Sequence, residues 1–179
     1  VRNPLRPLDA KVLKQAALGR RSDQIAAAVG TSRPNVSLRL GLIGKALGSG
    51  KRPALVHRAL VHGWLLPLPP SQCPAEPVKL DGMDQRLRQW AAGMVHEDIH
   101  ETTGIPLAKL RGEATAWMRH LGARNRAHMV YLAWSWGWLD ADAAPAPPPV
   151  GLPGNNRNKL LPIPGANGTP APEPKEVSR

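Results

Sequence analysis

Residues 13–65 lie over residues 87–139 at a constant offset of 74, with no gap. Leu13 meets Leu87, Gln15 meets Gln89, Ala17 meets Ala91 and Gly19 meets Gly93. Further on, Ile25 meets Ile99, Gly30 meets Gly104, and Leu47-Gly48 meets Leu121-Gly122. Arg52 meets Arg126, Val56 meets Val130, and Gly63-Trp64-Leu65 meets Gly137-Trp138-Leu139. These identities fall at turns and apolar positions, the places a shared fold retains. The chain therefore reads as two copies of one unit of about 60 residues. A unit that small is marginally stable alone, which is a reason for two copies to pack together.

The repeat fixes the organisation of the whole chain. Residues 8–65 form the first copy and 80–139 the second. Between them, residues 66–79 belong to a stretch, LLPLPPSQCPAEPVK, with five prolines, and read as a semi-rigid extended spacer. Residues 140–179 hold ten of the twenty prolines and few large apolar side chains, so a disordered tail is expected there.

Within each copy the apolar spacing is helical. Val36, Leu40, Ile43 and Leu47 form one stripe, and Leu110, Ala114, Trp117 and Leu121 repeat it. No useful length alternates with period two. Gly, Pro, Ser and Thr cut each copy into four helices, near 9–18, 22–29, 33–47 and 52–63, then near 83–92, 96–103, 107–121 and 126–137. The expected fold is all-α: two tandem four-helix domains.

Charge separates the copies. Residues 1–65 hold 12 Lys/Arg against 2 Asp/Glu, a net of +10, out of +11 for the chain. Residues 80–139 hold 7 against 6, a net of +1. A local basic excess of that size points to a polyanionic partner, most often nucleic acid. The single cysteine, Cys73, excludes an intrachain disulfide framework. No apolar run reaches membrane-spanning length and no signal-peptide pattern opens the chain, so a cytoplasmic, nucleoid-associated protein without a membrane partner is expected.

The stretch DQIAAAVGTSRPNVSLRL carries the spacing of a helix-turn-helix. Ala26 is small where two helices cross closely, Gly30 permits the tight turn, and Val36 fills the core under the next helix. Ser32 is placed to cap that helix, and Pro34 is tolerated in its first turn. Ala17-Leu18-Gly19, Gln24-Ile25-Ala26, Ser32 to Val36, and Leu47-Gly48 with Arg52 resemble the LuxR/GerE-type four-helix DNA-binding domain. LGARNRAHMV, residues 121–130, keeps the last of these elements in the second copy.

The resemblance implies that the third helix enters the major groove. Base-facing positions then fall on Ser37, Leu38 and Gly41, with Asn35 and Arg39 near the backbone. The Thr and His usual at those last two positions are replaced, so no operator follows by analogy. The residues themselves place Arg33, Asn35, Ser37 and Arg39 on the solvent side of the Val36/Leu40 stripe. Arg20 and Arg21 precede the second helix, where backbone amides favour phosphate. Lys45, Lys51 and Arg52 extend the basic surface.

The second copy has Glu97-Asp98 where the first has Asp23-Gln24, and Glu113 where the first has Arg39. Repulsion from phosphate weakens such a reader, although Lys109, Arg111 and Thr115 remain candidates for a groove. Its last helix, AHMVYLAWSWGWL, is apolar and aromatic. Those aromatics either fill the copy's own core, pack the two fourth helices into an intramolecular pseudo-dimer or a homodimer contact, or form a partner-binding patch.

One stretch invites a different chemistry. His96-Glu97-Asp98-Ile99-His100 spells H-E-x-x-H, the zinc-peptidase pattern of two histidines one helical turn apart with a general base beside them. The repeat places His96 opposite Ser22 and His100 opposite the crowded Ala26, on a helix of about two turns. A peptidase needs a third ligand and an open cleft, and His120 and His128 lack the spacing to supply them. No metal, cofactor or catalytic residue is therefore expected. The expected function is a bacterial or phage transcription regulator that binds double-stranded DNA sequence-specifically. The alternative is an adaptor tethered to DNA or RNA polymerase, whose second copy recruits a protein.

Overall fold

Each copy breaks into helices where its local chemistry demands. In the computed structural model, which describes residues 5–144, these are α1 (Pro7–Ala17), α2 (Ser22–Val29), α3 (Arg33–Ala46) and α4 (Arg52–Val61), then α5 (Met83–Ala92), α6 (His96–Thr103), α7 (Leu107–His120) and α8 (Arg126–Ser135). Among the described residues there is no strand, and no helix is long and apolar enough to cross a membrane. The last three helices of one copy map onto those of the other at the offset of 74, residue for residue.

Caps set the boundaries. Gln24 accepts from the Arg21 backbone N–H at 3.0 Å, and Asp98 accepts from that of Val95 at 2.8 Å, tying the starts of α2 and α6. Ser32 Oγ accepts from the Asn35 amide at 3.4 Å, and Asn125 Oδ1 from the His128 amide at 3.1 Å. Glycines in the left-handed region follow the helices in matched pairs: Gly19 and Gly93, Gly30 and Gly104, Gly48 and Gly122, Gly63 and Gly137. At Gly19 the close approach matters as much as φ. A Cβ there would sit 2.9 Å from the Cβ of Arg124 and 3.0 Å from that of His128, across the boundary between copies.

The repeat is a unit of sequence more than of packing. Val12, Ala16, Ile25, Ala26 and Val36 form a small buried cluster that holds α1, α2 and α3 together. The opposite side of α1, with Leu13 and Ala17, joins a larger cluster that runs through both copies to Trp138 and Leu139. Helix α4 packs chiefly on α8 and α5, and only lightly on α1 of its own copy. The expected pairing of the two fourth helices is thus present as a contact, inside a core the copies share. Each buried Leu or Trp in it contributes roughly 1.5–3 kcal/mol.

The copies differ inside. Trp90 stands where the first copy has Ala16, fully buried, with its ring edge-on to Trp117 at 6.2 Å. Helices α6 and α7 pack on each other but stand away from α5, with these rings in the gap. The position of His100 is consequently open to solvent rather than crowded.

Segment 66–79 has no helix, and it is strapped along α8 rather than standing off as a spacer. Tyr131 donates to the Leu66 carbonyl at 2.9 Å, the Leu68 amide donates to Ser135 Oγ at 3.0 Å, and Trp136 Nε1 donates to the Pro74 carbonyl at 2.9 Å. Trp138 Nε1 donates to the Glu76 carboxylate, and the Lys79 ammonium lies 5.1 Å from the Trp138 ring centroid. At the centre of the α4–α8 contact His57 is fully buried. Its Nδ1 accepts from Trp134 Nε1 at 3.0 Å, and its Nε2 donates to the Ala144 carbonyl at 2.6 Å. The indole is only a donor, so the ring is the neutral Nε2–H tautomer. Residues 140–144, expected as the start of a disordered tail, are seated there; the rest of that expectation concerns 145–179, outside the described residues.

Candidate nucleic-acid interface

Helix α3 presents one face to solvent because α1 and α2 take the other. Val36 and Ile43 are buried, and Ser37, Leu38, Gly41, Leu42 and Lys45 face outward, with Leu38 62% exposed. Arg33 is exposed at the N-terminal end of this face. A cleft of about 510 Å³ runs between α3 and the 48–52 loop, lined in part by Ser37, Gly41, Lys45 and Arg52. A second cleft gathers Arg21, Arg33 and Arg52 around Ser22. The three expected base-facing residues therefore share one surface with four of the expected cations.

Two of the expected residues are tied down. Asn35 is half-buried and donates through Nδ2 to Thr31 Oγ1 at 2.6 Å. Arg52 donates to the Arg20 carbonyl at 3.3 Å and to Ser22 Oγ at 2.9 Å, so it shapes the turn before α2 as well as facing the clefts. Arg20 is half-buried; Arg21 is exposed and paired with Asp23 at 3.1 Å; Lys51 is exposed.

Arg39 requires correction. It does not lie on the solvent side of the stripe but turns inward, 2.6 Å from Asp9, with side-chain exposures of 21% and 12% for the pair. It ties α3 to α1. Its mate in the repeat, Glu113, turns inward in the same way to the buried Arg86 at 3.6 Å. The charge swap at 39/113 is a structural ion pair reversed in sign, and Glu113 is not an acidic obstacle on the outer face. Asp9 and Arg86 were missed in the sequence because each lies on a different helix from its partner. The opposite charges at 39 and 113 are the signal that points to them.

In the second copy the three candidates are all exposed, yet each is engaged. Arg111 pairs with Glu97 at 3.1 Å, Lys109 lies 4.0 Å from Glu113, and Thr115 donates back to the Arg111 carbonyl at 2.9 Å. This face neutralises its own charge. His96 stands beside Trp90, ring centroids 6.2 Å apart, and burial pushes its pKa down. His100 Nδ1 bonds the Ile105 carbonyl at 2.9 Å instead of sharing a site with His96. Among the described residues, no three His, Cys, Asp or Glu side chains gather at metal-ligand spacing. None of the six tryptophans is exposed.

Against models of known protein families, curated proteins and solved structures, the chain has no match.

Proposed function

We propose that the protein is a non-enzymatic, sequence-specific regulator that binds double-stranded DNA through the first copy's helix-turn-helix, α2 and α3. The observation that carries this reading is the outer face of α3. It is an exposed helix with small and apolar residues at its middle, and Arg33, Lys45, Arg21 and Arg52 around it. Cations at the edges suit phosphates, while Ser37, Leu38 and Gly41 leave room for base edges and a thymine methyl. The net charge of +10 in residues 1–65 supports the same polyanion.

The shared core supports a pseudo-dimer: α4 and α8 join the copies as the fourth helices of two subunits would. The self-paired charges on α7 make the second copy an orienting or weaker reader. An adaptor needs an exposed patch for its protein partner, and the tryptophans that suggested one are committed to the linker and the core.

The test is titration of a labelled 20-base-pair duplex with wild-type protein and with Arg33→Glu,Lys45→Glu. Both residues are exposed, so the melting temperature should hold while affinity falls at least tenfold. Equal affinity in a folded double variant contradicts the proposal. A protection footprint on the DNA around the protein's own gene then identifies the site read.

A further inference from the structure

The two junctions between the copies are related by the repeat but closed differently. At one, Asn125 Nδ2 donates to the Gly19 carbonyl at 2.9 Å and the loop carrying it presses on Gly19. At the other, the residue equivalent to Asn125 is Lys51, which is exposed, and the residue equivalent to Gly19 is Gly93. That junction is not sealed. It holds a cavity of about 220 Å³, walled by Pro53, Trp90, Met94 and Val95 and edged by Lys51, Arg52 and Arg126.

Two groups on this cavity lack the partners their chemistry calls for. Arg126 is half-buried, with its guanidinium 6.0 Å from the Trp90 ring centroid. Its mate Arg52 spends its N–H groups on the Arg20 carbonyl and Ser22 Oγ. Opposite Ser22 the second copy has His96, so Arg126 has no hydroxyl acceptor at that position, and its guanidinium rests on the Trp90 ring. Burial pushes its pKa down, and the Glu97 carboxylate, beyond ion-pair distance, offsets this only in part. Trp90 is fully buried, and its indole N–H has no acceptor. Unpaired donors beside apolar walls cost stability unless something fills the space.

We infer that this inter-copy cavity binds a small organic anion, its flat apolar body against Pro53, Met94 and Val95, next to the buried Trp90, and its carboxylate or phosphate head between Arg126 and Lys51. The size sets the class. Sites for drug-sized ligands run to about 300–1,000 Å³, so a cavity below that range takes a single-ring metabolite-sized molecule. A charged head on paired cations and a ring on apolar walls match such a ligand at both ends. The site shares Arg52 with the clefts beside α3 but neither Arg33 nor Lys45, and a molecule seated between α4, α5 and α8 touches both copies at once.

The test titrates the full chain with benzoate, phenyl phosphate and neutral benzamide, following the indole N–H resonances by NMR. Benzoate or phenyl phosphate should shift the Trp90 resonance saturably, and whichever binds tighter identifies the head. Benzamide should bind at least tenfold more weakly. Lys51→Asn, which copies the sealed junction, and Arg126→Gln should each weaken binding at least fivefold, and Arg119→Gln should not. Should Arg126→Gln fail to fold, Lys51→Asn decides, since Lys51 is exposed. No saturable shift, equal binding of benzamide, or indifference to Lys51→Asn overturns the inference. Arg33→Glu,Lys45→Glu should lower duplex affinity at least tenfold without touching benzoate binding, so the two proposals fail separately.

Discussion

Arg39 and Glu113 occupy one position of the repeat with opposite charge, and each holds a third helix to a first helix. Breaking a partly buried pair leaves the other ion without its counter-charge. Arg39→Glu should therefore cost about 1–3 kcal/mol in urea unfolding. Adding Asp9→Arg should restore most of the loss, because it returns opposite charges to the two ends of the pair; the second copy reaches the reversed polarity from a different position of its first helix, Arg86, opposite Val12. Failure of that rescue would show that the pair is incidental. Arg33 makes the opposite case: exposed, it should tolerate Arg33→Glu within about 0.5 kcal/mol of stability while duplex affinity falls. Reversing charge at both 33 and 39 would confound folding with binding, and Lys45 is the sound companion.

At the level of elements, the helices were legible and, apart from the pairing of the two fourth helices, their partners were not. Caps and stops are local: Ser32, Pro34 and the paired glycines mark helix ends from within a few residues, and the offset of 74 repeats them. The repeat offered α8 as one partner for α4, but its packing on α5, the first helix of the other copy, is announced by nothing in RPALVHRALV. For the same reason the Trp-rich helix left three meanings open, and the strap of 66–79 read as a semi-rigid extended spacer. The junctions give a sharp contrast. Gly30→Ala meets only the strain of positive φ, with no atom near its Cβ, and should cost about 1–2 kcal/mol. Gly19→Ala adds a collision with Arg124 and His128, so its urea midpoint should fall clearly further. Equal losses would mean that the junction gives way freely.

Three histidines shielded by the fold, His57 between α4 and α8, His96 on α6 and His128 against Gly19, set a pH dependence. Burial lowers the pKa of His57, His96 and His128, the last to about 4. Above the ordinary value of 6.5 the imidazoles are neutral folded and unfolded, and no stability is lost. As pH falls below 6.5 the unfolded chain takes up protons that the fold excludes, until the folded pKa is reached. His128 alone, discounted for its partial exposure to water, should cost about 1 kcal/mol between pH 7 and 5. A urea midpoint unchanged over that interval would contradict the neutral, buried assignment.

For the whole molecule, one buried cluster through both copies requires one cooperative unit. Tryptophan fluorescence and far-UV circular dichroism should report a single, coincident unfolding transition. Two separated transitions would mean the copies fold alone. Truncation after residue 66 would remove the main partners of α4, so it tests folding before it tests DNA binding. The polyanion reading is tested most directly by the salt dependence of duplex affinity. With on the order of six phosphate contacts, log K against log salt should slope near −5, about a thousandfold loss from 50 to 200 mM, and the slope should flatten by about one for each of Arg33 and Lys45 reversed. A flat response in the wild type, or a slope that ignores both substitutions in a folded protein, would contradict a groove-seated α3.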